Sequence, residues 1–344
     1  MTKRNLIILI SGSIFGIILI LLWLSFIPIA EVKEYFQELS PFWVGLASLT
    51  YLSAYFVRSV RWNIILSHSI KVSVKDTWLF AMAGNLMNYL IPIRAGELVK
   101  SWFVKQHYHQ SITRTLPSIF IDKTFDTLAI VSVLILIPFL TIKISTGLFV
   151  LLTLLAIVFV ISVGILLMAA WQKQRVLSWL KIPLRIFPRR FRTKLLGYLE
   201  IFIEGLNLFE HQPTKLVIAT LLTVLGILLD GLYFYLIFVA FGIEFSFLLV
   251  LFGYTLINLS YALPQPPAQL GSNEWMMIII FSLGFNLTKS SASAIMAFAH
   301  ILTALLMGVV GYSAYAISGF EVFRMIFKGE KIDGKSDHAD TAIE

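Results

Sequence analysis

Inside an otherwise hydrophobic run, the thirteen residues from Asn85 to Glu97 (NLMNYLIPIRAGE) gather two asparagines, a proline, an arginine, a glycine and a glutamate. Such groups are costly at membrane depth unless protein buries them or they line a wet cavity. Arg94 keeps its charge and offers a planar fork of donors that suits phosphate, so it is the expected anchor for a lipid head group. The alternative is a salt bridge to Glu97, three residues on. Asn85 and Asn88 lie about one helical turn apart, where they either share a cavity or cap broken backbone. Asp122, Lys123 and Asp126 form a second cluster, with both carboxylates on one helical face. It reads as a cation site or a partner for Arg94, and Asp122 alternatively as a carboxylate complementing a helix start. The third group, Gln265, Gln269, Ser272, Asn273 and Glu274, is polar without a basic residue. It suits head-group hydroxyls or amines, a proton carried by Glu274, or a hydrogen-bonded plug. Asp230 and His300 sit deep in apolar runs and suggest a proton relay, or else a neutral, locally bonded pair.

Familiar catalytic patterns are missing. The chain has no Walker loop, G-x-S-x-G elbow, H-E-x-x-H pair or dinucleotide fingerprint, so neither an enzyme nor a cofactor is expected. His107 and His109 alternate without a third ligand nearby, which argues against a metal. Cysteine is absent, which excludes disulfides, thiolate metal sites and cysteine nucleophiles. The excess of 27 Lys+Arg over 19 Asp+Glu accompanies no nucleic-acid motif, and between hydrophobic spans it is a topology signal instead.

Of the 344 residues, 58% are hydrophobic and 13% charged, against about 45–50% and about 25% in soluble domains. The chain is therefore expected to be an all-α polytopic membrane protein. Apolar runs predict about six transmembrane helices, at residues 6–29, 41–57, 117–141, 144–170, 214–241 and 290–317. Arg58, Arg61, Lys71 and Lys75 are read as the loop after the second span. Two further regions, 77–106 and 245–286, are too short and too broken to cross. Pro92 and Pro264 cannot continue a helix, so these regions are read as re-entrant helical hairpins. The order repeats with opposite orientation, an inverted repeat with its site near mid-membrane. Residues 1–143 form the first repeat and 144–317 the second, while 318–344 is a disordered cytoplasmic tail. Positive charge places both termini and the basic segment 171–213 in the cytoplasm, that segment lying along the anionic inner leaflet. Trp23, Trp43, Trp62, Trp78 and Trp102 read as an interfacial belt.

Four strings then resemble a known family. They are Asn85-x-x-Asn88 through Pro92, Arg94, Gly96 and Glu97; the pair Arg61-Trp62; Lys123-x-x-Asp126; and the proline-rich stretch from Pro264 that ends in Gly271-x-x-Glu274. Together they resemble the flippase-like transmembrane domain of lysylphosphatidylglycerol synthase, over about residues 6–317. The resemblance implies a stand-alone member, without the soluble aminoacyl-transferase, in an inner or plasma membrane. Membrane lipids are the implied partners: an anionic or phosphate-bearing lipid or glycolipid would move between leaflets by alternating access. Arg94 would anchor the head group, Glu97 and Asp126 would switch partners, and the 265–274 tip would gate the outer side. The second motif reads Pro266-Pro267-Ala268-Gln269 where the family's string is Pro-Gly-Gly. Two alternatives remain: a lipid-modifying enzyme with Glu97 or Asp126 as base, and a non-transporting partner of a lipid or cell-envelope biosynthetic enzyme.

Overall fold

The structure, a computed structural model, describes residues 3–91, 96–133, 212–261 and 265–319. The predicted fourth span, the basic segment up to residue 211, the tail beyond 319, Pro264 and residues 92–95, Pro92 and Arg94 among them, lie outside the described residues. Among those described, every regular element is helical.

Helix α1 (Lys3–Phe26) is an apolar run that stops just before Pro28. Pro28 is extended and cannot continue the helix, and α2 (Ile29–Tyr35) leaves at 89°. Helix α3 (Pro41–Leu66) opens on a proline, whose fixed φ suits a first helical residue. It does not end at Val57 as predicted. Arg58 and Arg61 continue it, because three-residue spacing puts both on one face where carboxylates of other helices meet them.

Helix α4 (Val74–Leu90) is capped by the Ser73 hydroxyl, which accepts the Asp76 N–H at 3.0 Å. It ends where Ile91 turns extended ahead of Pro92. Helix α5 (Gly96–Tyr108) returns alongside. The arms meet backbone to backbone, since a Cβ on Gly96 would run into the Gly84 carbonyl oxygen. Phe80 and Phe103 stack at 5.3 Å, and the Tyr108 hydroxyl donates to Asp76 at 2.5 Å, closing the base of this first hairpin. Helix α6 (Ile112–Ser132) starts ahead of Pro117, which lies inside its second turn and leaves one carbonyl of the first turn without its helical N–H partner. Asp122, Lys123 and Asp126 are thus mid-helix rather than in its first turns. The helix-start reading of Asp122 is corrected accordingly.

Helix α7 (Pro213–Ala240) leads to the second hairpin. Its arms are α8 (Phe247–Ser260) and α9 (Ser272–Met277), the latter widening into a π-type turn over Ile278–Gly284. A 3₁₀ turn, Pro267–Gln269, lies at the tip. Helix α10 (Lys289–Ser318) closes the described chain, capped by the Thr288 hydroxyl.

After the bent α1–α2 pair, the order of long helix, two short arms, long helix occurs twice: α3 to α6, then α7 to α10. The corresponding helices α3 and α7 lie antiparallel along their length. The Ser40 N–H donates to Ala240 O at one end, and Lys215 Nζ donates to Ser67 Oγ at the other, both at 3.0 Å. Helix α4 packs on α10, where Gly311 admits Leu86, and α6 touches α8. Helix α1 covers the second hairpin, accepting the Trp275 indole N–H at Leu19 O. Trp23, Trp62 and Trp102 are buried within the protein and do not face outward as belt residues would. Outward faces are apolar, with Leu221, Val309 and Ile317 exposed. Among the described residues, α10 and α7 from Thr214 are each long and apolar enough to cross a bilayer. The fold is that of an all-α polytopic membrane protein.

Candidate functional site

Spacing on four helices assembles a chain of charges. Arg58 and Arg61 share a face of α3, Asp122 and Asp126 a face of α6, and Glu97 and Lys100 a face of α5. Arg61 Nε donates to Asp122 at 2.7 Å and its Nη2 to Asp126 at 2.6 Å, while Nη1 reaches Thr223 of α7 at 3.0 Å. Arg58 forms a two-pronged pair with Asp230 of α7 and approaches Asp126 at 3.6 Å. Lys123 Nζ bridges Glu97 at 3.3 Å and Asp126 at 3.5 Å, and Lys100 holds the other Glu97 oxygen at 3.3 Å. Buried charge is tolerable only where such partners replace water. Arg61, 1% exposed, depends on them wholly.

These eight residues wall a cavity of about 380 Å³ between the helices, within the range of small-molecule sites. Tyr51, Tyr55, Tyr89, Tyr233, Tyr254 and Tyr261 line it further. Gln269, Asn273 and His300 line it at the second hairpin's tip. There the Asn273 amide donates to Gln269 at 3.0 Å. His300 Nδ1 lies 2.5 Å from Glu274 Oε1, and its Nε2 lies 2.7 Å from Ala268 O. Ala268 and Gln269 take φ of 53° and 60°, a region glycine enters freely and other residues at a cost.

Most predicted residues meet here. Asn85, Asn88, Glu97, Asp122, Lys123, Asp126, Asp230, Gln269, Asn273 and His300 all line the one cavity. Asn88 both lines it and caps α5, accepting the Gly96 N–H at 2.7 Å and donating to Glu97 at 3.2 Å. Glu274 lies behind the lining, against His300. Gln265 is turned back to donate to Ser260 O at 2.7 Å. The suggested Asp230–His300 relay is corrected: Asp230 belongs to Arg58 and His300 to Glu274. Glu97, within the described residues, is held by Lys100 and Lys123; Arg94 is outside them. Arg58, Arg61 and Lys100 went unpredicted as site residues. Their signal was present, since an apolar pattern continues past the arginines through Trp62, Ile64, Ile65 and Leu66.

A helical membrane protein with charged side chains gathered around an internal cavity is the class this fold and site define. The chain belongs to the family of the lysylphosphatidylglycerol synthase transmembrane region, whose profile matches residues 8–311. It is 26% identical over 250 residues to the UPF0104 membrane protein MJ1078 of Methanocaldococcus jannaschii, covering 70% of this chain and 94% of that one. It is 21% identical over 323 residues to a UPF0104 membrane protein of Methanothermobacter thermautotrophicus, covering 90% and 95% respectively. No solved structure matches the chain.

Proposed function

We propose that this protein is a lipid transporter that moves a phosphate-bearing head group between leaflets through the central cavity, with the acyl chains left in the bilayer. The observation that carries this reading is the cavity itself, walled by four cations and four carboxylates inside a membrane fold. Lys123 is the most open of the four cations, its side chain 41% exposed. An arriving phosphate would take Lys123 from Glu97 and Asp126. Neither carboxylate would then be stranded, because Glu97 keeps Lys100 and Asp126 keeps Arg61. That spare pairing supports partner switching during alternating access. Both carboxylates are already occupied by cations, which favours a carrier over a lipid-modifying enzyme. Lys71 and Lys75, at the turn after α3, support a cytoplasmic assignment for that end and an inner or plasma membrane location with both termini inside.

The test is purified protein in vesicles, read by the rate at which a labelled phosphate-bearing lipid changes leaflet. The native chain is expected to exceed empty vesicles. Lys123→Gln is expected to slow movement by about ten- to a hundredfold, the loss of a charged hydrogen bond worth about 1.5–3 kcal/mol. Lipids copurifying with the two proteins, compared by mass spectrometry, nominate the head group. Movement no faster than in empty vesicles, under every gradient and lipid tried, would overturn the proposal.

A further inference from the structure

His300 of α10 holds the second hairpin's tip at two points. A carbonyl only accepts, so the 2.7 Å contact with Ala268 O puts a hydrogen on Nε2. The 2.5 Å contact between Nδ1 and Glu274 Oε1 then needs one more proton, shared as imidazolium with carboxylate or as imidazole with carboxylic acid. Take that proton away, and a lone pair on Nδ1 faces a carboxylate oxygen. The contact becomes repulsive.

Little else near the pair competes for this role. Glu274 is 3% exposed, and its other oxygen has no hydrogen-bond partner among the described residues. Among the described residues, the titratable groups facing the pair are phenols: Tyr89 of α4, its ring 6.4 Å from that of His300, and Tyr261 at the end of α8. Tyr233 of α7 donates to Ala299 O, and α3 turns Tyr51 and Tyr55 toward the same cavity. Helix α1 presents Leu19 to the tip, and Glu31 of α2 is bonded to Ser290. The cavity's other charges on α3, α5, α6 and α7 are committed to one another. What the pair restrains is strained backbone, since Ala268 and Gln269 both have positive φ.

We propose that Glu274 and His300 form the proton-binding site that couples lipid movement to a transmembrane proton gradient. With the shared proton bound, the pair latches the tip. When the proton leaves to the cavity, the tip is released and the gate can open. The latch stands on its own geometry; the coupling rests on the transport reading above.

The experiment compares the full native chain with Glu274→Gln, whose amide can donate to Nδ1 without titrating. Lipid movement is measured in vesicles with a proton gradient and with that gradient collapsed. Separately, Ala268→Cys places one thiol on the tip of a cysteine-free chain. Its maleimide labelling is followed against pH in both backgrounds, and the ratio of rates cancels the thiol's own ionisation. The ratio of native latch to Glu274→Gln is expected to climb about tenfold per pH unit across the titration, the slope of one released proton. Lipid movement is expected to follow the gradient in the native chain and ignore it in the variant. A flat labelling ratio overturns the latch. Native movement that is indifferent to the gradient overturns the coupling and leaves transport standing. Absence of movement under any gradient removes transport and coupling together, and the labelling ratio still decides the latch.

Discussion

Removing the Arg61 guanidinium would strand Asp122, while Asp126 would keep Lys123 and the approach of Arg58. Breaking a buried ion pair from one side costs about 3–5 kcal/mol, because the remaining charge stays dry and alone. Arg61→Leu is therefore expected to lower the unfolding temperature in detergent sharply. Arg61→Leu with Asp122→Leu should recover much of the loss, since most of it belongs to the abandoned carboxylate. Equal destabilisation by the single and double variants would show that the pair is not what holds this region. At this scale the sequence marks Glu97, Lys123 and Asp126 clearly, because isolated charges in apolar runs have few bland explanations. Arg58 and Arg61 are harder to read. Basic residues after a span ordinarily signal a cytoplasmic loop, and only the facing carboxylates, 61 to 172 residues away, reveal that these arginines are inside.

The hairpins depend on close backbone contact as much as on their breaks. Gly96→Ala would force a methyl into the Gly84 carbonyl, and overpacking of this kind costs about 1–3 kcal/mol. Gly45→Ala in α3, with nothing within 4 Å of the added atom, is expected to be neutral or stabilising by up to about 1 kcal/mol. Thermal unfolding of the two proteins side by side checks the contrast. At the second tip, Ala268→Gly should relieve left-handed strain and stabilise by about 1 kcal/mol; a loss of stability instead would mean that the Ala268 methyl packs usefully. Both hairpins are legible in the sequence, since proline and glycine break helices through local geometry alone. Their fastening is not. His300 reaches Glu274 from 26 residues away and Ala268 from 32, with no local pattern to announce it. Helix ends also slipped at Pro117, read as a start, and at Arg58, read as a stop, whereas Pro41 does open its helix.

On the scale of the whole molecule, α3 and α7 are joined at four places: Ser40 to Ala240, Arg58 to Asp230, Arg61 to Thr223, and Ser67 to Lys215. Each joint links residues 1–143 to residues 144–317, and the contacts of α4 with α10 add to them. Separately expressed 1–143 and 144–344 chains are thus expected to copurify from membranes. Asp230→Ala should weaken that recovery, read as the fraction of one chain retained by a tag on the other. Recovery no better than with an unrelated membrane protein would show that the covalent link is required. The described helices carry the repeated order that the hydrophobic pattern suggests, although the predicted fourth span and the basic segment to residue 211 lie outside them.

The antiparallel seam of α3 and α7 also bears on ancestry. Corresponding helices that pair across the two halves, besides packing within their own, form the contact that two copies of a half-length chain would make on meeting in a bilayer. A single gene for such a half could yield a working dimer, provided both insertion orientations were accessible to it, and joining two copies would then fix one of each in every molecule.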